Sequence, residues 1–345
     1  MITLEQALAK YPKEHLATFP TPLHHLEHLS AKLEFEVYIK RDDLTDLTLG
    51  GDKPRKLEYE IAQARDKGID TLVTCGSAQS NHARLTTAAA RKLGLKAAVV
   101  LSHDEWESLQ GNLLTVHLMG AHVVFVHTDD HWELERHALE LCDTLRAKGH
   151  KPHYIPVSGS TPHSCLGYVS GGLELIEQMA RLDFVPDAVY TPFGTGGTFT
   201  SLMLTLRAKG LECPMIGISV NRELRHCEES LDRWWNALSS LLERDPKSSR
   251  GSYEIYDEFI GKEYGDPTPA GLDAILLMAR TEGILLDPVY SGKVMSGLLA
   301  HAREGRWKSG QKILFLHTGG VPALFSYHAV LAEHLKNRPD HTDKF

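Results

Sequence analysis

Short runs rich in β-branched residues alternate with helical segments through nearly the whole of this chain, and that alternation limits the folds open to it. Strands are expected at 36–40, 71–75, 97–101, 122–127, 153–157, 188–191, 216–220 and 312–316. Helices are expected between them at 53–67, 79–93, 109–119, 131–148, 169–181, 198–209 and 223–242, the first two closed by Gly68 and Gly94. Further helices are expected at 270–280, 292–303 and from Ala323, after a stop-rich stretch at 243–252. Strict β/α alternation requires right-handed crossovers, hence α/β architecture with parallel sheets covered by helices on both faces. The strands are too many for one modest sheet, so two open, twisted, mostly parallel sheets with a ligand between them are expected. Only the tail after Pro339 reads as disordered.

Length and charge narrow the function. A chain of 345 residues is long for one domain and comfortable for two. Its formal charge of -8 argues against nucleic acid or an anionic membrane surface, both of which want a basic face, and leaves a small metabolite as the partner. No stretch approaches the roughly 20 apolar residues of a membrane span, and the first ten residues lack a basic segment followed by an apolar run, so a cytoplasmic protein is expected. Cys75, Cys142, Cys165, Cys213 and Cys227 form no C-x-x-C pair and read as reduced thiols. His24, His25 and His28, and His127 and His131 around Asp129 and Asp130, give no metal ligand set of defined spacing.

Chemistry concentrates in a few loops. Gly50-Gly-Asp-Lys-Pro-Arg-Lys56 pairs a flexible turn with lysines at a helix mouth, with Asp52 as expected cap and Pro54 in the first turn. An ordinary lysine is neutral in roughly one molecule in a few thousand at pH 7, so a nucleophilic Lys53 needs desolvation or neighbouring cations, for which Arg55 and Lys56 are at hand. Alone, such a string reads as a solvated basic turn; its company changes the reading. Cys75-Gly-Ser-Ala-Gln-Ser-Asn-His-Ala-Arg84 leaves a strand and opens a helix, where N–H groups of Ser80, Asn81 and His82 suit a carboxylate and the Ser80 hydroxyl suits proton transfer or a plain N-cap. Phe193-Gly-Thr-Gly-Gly-Thr198 offers successive N–H groups to a phosphate but is no dinucleotide fingerprint, because Phe199 stands where the third glycine would be. A phosphate nest without a dinucleotide, beside a reactive lysine, points to pyridoxal phosphate.

Two later stretches, 282–293 and 316–322, place hydroxyls at the ends of α/β elements. Together, Gly-Gly-Asp-Lys-Pro-Arg-Lys-Leu-Glu-Tyr, Gln-Ser-Asn-His, Gly-Thr-Gly-Gly-Thr, Glu-Tyr-Gly, Asp-Pro-Val-Tyr-Ser-Gly-Lys and His-Thr-Gly-Gly-Val-Pro occur in an order that resembles the 1-aminocyclopropane-1-carboxylate deaminase and D-cysteine desulfhydrase family. The likeness runs from about Pro20 to Leu324. It implies a fold-type II pyridoxal-phosphate enzyme, built like the tryptophan synthase β subunit, with the cofactor in an interdomain cleft. A large domain of residues 1–55 and 167–345 would carry a small inserted domain, 56–166, and the protein would be a homodimer.

Carried onto this sequence, the resemblance makes Lys53 the Schiff-base lysine and Asn81 the partner of the cofactor's 3'-oxygen. Ser80, Asn81 and His82 would hold a small amino-acid substrate by its carboxylate, with Ser80 also a candidate acid or base. Gly194, Thr195, Gly196, Gly197 and Thr198 would cup the phosphate, and Tyr264 and Tyr290 would line the substrate side as catalytic residues. The family usually has asparagine where Asp52 stands. The deaminase branch carries glutamate after the equivalent of Tyr290 and leucine at Thr318, so Ser291 and Thr318, facing the ring nitrogen as hydroxyls, resemble the desulfhydrase branch. A carboxylate there strengthens the ring as an electron sink, which opening a cyclopropane demands more than expelling a thiolate does. The expected activity is α,β-elimination of D-cysteine to pyruvate, hydrogen sulfide and ammonia. The alternatives are cyclopropane deamination, L-cysteate sulfo-lyase or related β-substituted alanine lyase activity, and non-catalytic amino-acid or cofactor binding.

Overall fold

A computed structural model describes residues 2–102, 109–128 and 130–338; Asp129 and the tail after Pro339 lie outside them. Ten strands, β1 (Leu23–His25), β2 (Glu36–Arg41), β3 (Thr71–Ser77), β4 (Lys96–Ser102), β5 (His122–Val126), β6 (Pro152–Tyr154), β7 (Ala188–Phe193), β8 (Met215–Ser219), β9 (Tyr253–Tyr256) and β10 (Lys312–His317), are found among the described residues. They form two sheets, a six-stranded one in the order β1-β2-β10-β7-β8-β9 and a four-stranded one in the order β5-β4-β3-β6. β1 pairs antiparallel with β2, and every other described pairing is parallel. All six residues of β7 are buried, as a parallel strand covered on both faces requires.

Each sheet changes direction once. In the larger, β10 and β7 are neighbours from which the order runs outward both ways; in the smaller, β3 lies between β4 and β6. Ligands in open α/β sheets bind at such reversals, beyond the carboxyl ends of the strands. The strands of the smaller sheet all come from the middle of the sequence, between those of the larger. The helix Lys53–Arg65 bridges them: Leu57 and Ile61 pack with Leu72 and Leu85 of one layer, and Tyr59 packs with Leu166 and Val169 of the other.

Several elements depart from expectation for physical reasons. The helix expected at 169–181 is Pro162–Arg181, begun by a Thr161 capping box with Pro162 in its first turn. Its Gly167, Gly171 and Gly172 serve close packing: a Cβ on Gly167 would lie 2.0 Å from the Arg55 carbonyl oxygen. The strand expected at 153–157 ends at Tyr154, and a 3-10 turn, Val157–Gly159, follows. β1 and β9, of three and four residues, are too short to show alternation and were not expected. No described helix is long and apolar enough to cross a membrane.

Candidate active site

Loops at the carboxyl ends of β3, β6, β7, β8 and β10 line one cavity of about 570 Å³. Lys53, Ser80, Asn81, His82, Gly194, Thr195, Gly196, Gly197, Thr198, Tyr264, Tyr290 and Thr318 all face it, although they span most of the sequence. Ser291 does not line it.

Lys53 is presented by a turn that only glycine tolerates. Gly50 and Gly51 have φ of 69° and 130°, and a Cβ on Gly50 would overlap the Asp43 carbonyl. The turn is tied across the cleft floor by the Asp52 N–H, which donates to the Thr318 carbonyl at 3.0 Å. Asp52 occupies the N-cap position but its side chain caps nothing. Instead it accepts from Lys53 Nζ at 2.7 Å, because Pro54 offers no N–H and the ammonium is the stronger donor.

Arg55 is not the neighbouring cation expected for Lys53. Its guanidinium is buried in ion pairs with Asp42 and Glu174, and Asp42, which also accepts from Tyr168, is held down to about pKa 2 despite burial, mainly by Arg55. Lys56 takes that place. It is buried, donates to Ser160 Oγ at 3.1 Å, and burial followed by the charge of Lys53 pulls its pKa down to about 8. Ser160 Oγ lies 2.6 Å from Thr195 Oγ1, so this cation sits one hydroxyl from the glycine loop.

The loop after β3 differs from its expected form at one atom. The Ser80 N–H donates to the Ser77 carbonyl at 2.9 Å, closing a turn, so only the N–H groups of Asn81 and His82 remain for an anion. Ser80 caps the helix Asn81–Lys92 by accepting from the Ala83 N–H at 3.1 Å while its own proton stays available at the cavity. The His82 ring is buried against Gly159, and burial together with Lys53 and Lys56 pulls its pKa down to about 3. It is a neutral ring.

Gly196, at φ 85°, caps the helix Gly197–Ala208, and the described hydrogen bonds leave the N–H groups of Thr195, Gly196, Gly197 and Thr198 without a protein acceptor. Trp234 Nε1 fixes the loop from behind by donating to the Thr195 carbonyl at 2.6 Å. Four convergent N–H groups at a helix mouth, with Lys56 behind them, are a donor set for a dianion.

On the opposite wall the Tyr264 and Tyr290 hydroxyls are 2.5 Å apart, and burial raises the pKa of both, Tyr290 well above the usual range. Tyr290 is aimed by buried Asp287, which accepts from the N–H groups of Val289 and Tyr290 through one oxygen and from the Ser291 N–H and hydroxyl through the other. That is where Ser291 goes. Its Oγ donates to Asp287 at 2.6 Å and accepts from the Asp287 N–H, so it is structural, and Thr318 is the hydroxyl left at the cavity. His317 donates through Nε2 to the Leu285 carbonyl and accepts from the Gly319 N–H, pinning the turn that follows Thr318.

A profile of the pyridoxal-phosphate dependent enzyme family matches residues 15–319. The D-cysteine desulfhydrase of Serratia proteamaculans is 38% identical over 332 residues, covering 95% of this chain and 99% of its own. The chain is a pyridoxal-phosphate-dependent lyase of the 1-aminocyclopropane-1-carboxylate deaminase and D-cysteine desulfhydrase family. The crystal structure of a 1-aminocyclopropane-1-carboxylate deaminase homologue superposes with a TM-score of 0.88 at 37% identity, covering 97% of this chain and all of the other. A fungal L-serine ammonia-lyase from Rhizomucor miehei shares the fold at a TM-score of 0.67 and 20% identity, over 92% of this chain and 99% of its own.

The residues present fit the cofactor of this family. The unpartnered N–H groups of the Gly194–Thr198 loop and buried Lys56 suit its phosphate, and Lys53 Nζ lines the same cavity for its aldehyde. Sequence reasoning missed Ser160, Ser77, Arg84 and Asn112. Ser160 and Asn112 fall outside every motif, and Ser77 and Arg84 lie in the Cys75–Arg84 stretch, whose pattern does not show that Ser77 lines the cavity or that Arg84 and Asn112 act from behind it; only contact geometry reveals them.

Proposed function

We propose that this enzyme is a D-cysteine desulfhydrase, which takes D-cysteine and water to pyruvate, hydrogen sulfide and ammonia. The observation that carries this reading is that no spare carboxylate stands on the Tyr290–Thr318 wall among the described residues: both oxygens of Asp287 are consumed by its own turn, and the hydroxyl lining the cavity there is that of Thr318. A hydroxyl leaves the ring nitrogen nearer neutral, a weaker electron sink that suffices for a thiolate leaving group.

Pyridoxal phosphate supplies, when bound, an aldehyde for the substrate amine and a ring that takes up the electron pair freed at the α-carbon. In this reading the Asn81 and His82 N–H groups and the Ser80 hydroxyl hold the substrate carboxylate. Lys53, which lines the cavity, would hold the cofactor's aldehyde through its Nζ, and the same nitrogen, when free, would take the α-proton. Tyr290 Oη, coupled to Tyr264 Oη, delivers a proton to the departing sulfur. Movement of the 56–166 segment toward the larger sheet would shut out water, and the working form would be a cytoplasmic homodimer.

The test is product analysis on the cofactor-loaded protein. D-cysteine should yield equimolar sulfide and pyruvate, and Lys53→Ala should abolish both. Production of 2-oxobutyrate from 1-aminocyclopropane-1-carboxylate, or sulfite from L-cysteate, with no sulfide from D-cysteine, would replace this reading by a sister activity. Inertness to every one of these substrates would leave a binding protein.

A further inference from the structure

An asparagine amide can point either end into a cavity, and here a buried arginine behind Asn81 decides which. Arg84 is fully enclosed on the helix Asn81–Lys92 and has no carboxylate in ion-pair range among the described residues. Burial lowers its pKa only to about 10, so it stays a cation and can only donate. Its Nη atoms hold the Thr48 and Gly50 carbonyls of the turn before Lys53, the second at 2.8 Å, and its Nε lies 2.6 Å from one terminal atom of buried Asn112. That atom must be Oδ1. The other end of Asn112 is therefore Nδ2, confirmed independently by the Gln79 carbonyl, an obligate acceptor, at 2.7 Å. Its second hydrogen faces the Asn81 side chain at 2.8 Å, so Asn81 must turn Oδ1 toward Asn112. The Asn81 NH₂ group has no protein acceptor among the described residues and belongs to a side chain that lines the cavity.

We propose that Asn112, polarised by Arg84, is a positioning residue that compels Asn81 to meet the cofactor as a hydrogen-bond donor. The proposal rests on the reading of Asn81 as the partner of the cofactor's 3'-oxygen. A donor facing that oxygen favours its ionised form, whereas an acceptor favours the neutral hydroxyl. With part of its charge drawn off by the donor, the ionised 3'-oxygen would hold the neighbouring proton of the cofactor's linkage to Lys53 less tightly, which would lower the pH at which the yellow, proton-bearing form gives way to the ultraviolet one. Arg84 also grips the Lys53 turn, so one cation sets both the approach of the lysine and the polarity of the amide beside it.

The test uses the absorption spectrum of the cofactor-loaded protein, which a merely structural role would not order as follows. In Asn112→Asp the new carboxylate still accepts from Arg84, with a stronger charge-assisted bond, but cannot donate to Asn81. The Asn81 amide should then turn over, and the pH at which the yellow band gives way to the ultraviolet band should rise by about 1 to 3 units. Asn112→Ala removes the constraint without inverting it and should shift the band less. Asn81→Asp, which leaves Arg84 and Asn112 in place, should shift it in the same direction as Asn112→Asp and serves if that variant does not fold. Spectra of Asn112→Asp and Asn81→Asp that match the wild type, or an equal shift in Asn112→Ala, would overturn the proposal. Asn81→Ala separates the two layers: an unchanged spectrum and unchanged cofactor affinity would remove the Asn81 reading and the proposal with it. A shift in Asn81→Ala beside a wild-type Asn112→Asp would keep that reading and remove only the relay.

Discussion

His82 shows how closely the site constrains a single side chain. The imidazole has Gly159 against its face, where a Cβ would come within 2.6 Å of Cε1, and shares its surroundings with Lys53 and Lys56. Its pKa falls from 6.5 to about 3 because burial and two cations both oppose a further positive charge. Between these values the unfolded chain binds a proton that the folded chain refuses. Stability from this group is therefore complete above pH 6.5 and drains away as pH falls toward 3, by up to about 1.4 kcal/mol per unit. His82→Gln should flatten the acid limb of unfolding free energy, measured by urea denaturation from pH 7 to 4; a slope parallel to the wild type would contradict this. The local setting at the cavity was legible for Lys53 and the Gly194–Thr198 loop, whose motifs dictate backbone form. It was not legible for Asp52, Arg55 or Ser291, whose side chains had nearby partners that a linear pattern does not display.

At the scale of elements, alternation revealed the parallel strands because burial on both faces writes continuous apolar runs. It could not reveal β1, β9 or the first two turns of Pro162–Arg181, where shortness or glycine hides the signal. Those glycines carry a cost that propensity misreads. At Gly167 two helix backbones meet so closely that a methyl group would land 2.0 Å from the Arg55 carbonyl oxygen and 2.8 Å from the Lys56 nitrogen. Gly167→Ala should lower stability by about 1 to 3 kcal/mol, read from the denaturant midpoint, as overpacked interiors do. It should also weaken cofactor retention, because the displaced helix begins with Lys53. Unchanged retention at lowered stability would show that the lysine end of the helix is anchored separately.

For the whole molecule the question is how a protein of charge -8 admits a dianion. Its mean field is repulsive, so approach depends on local inversion. Arg222 and Arg233 line the same cavity, neither with a carboxylate in ion-pair range among the described residues, and Arg233 is exposed, its guanidinium over the Trp234 ring. Burial, and after it the charge of Arg233, depresses the pKa of Arg222. Stopped-flow binding of pyridoxal phosphate to cofactor-free protein should therefore slow as salt is added. The double change Arg222→Gln, Arg233→Gln should cut the low-salt association rate roughly tenfold and leave the high-salt rate alone. A salt-independent rate in the wild type would refute this account.

The cavity's two walls hang from separate supports. Asp287 fastens the tyrosine side through its own turn, and Arg84 fastens the lysine and amide side through the carbonyls of Thr48 and Gly50. Asp287 and Arg84 share no hydrogen-bond partner among the described residues, so the two walls meet chiefly where the Asp52 N–H reaches the Thr318 carbonyl, and a protein engineer recutting the tyrosine wall would have to leave that one tie intact to keep the grip on the vitamin.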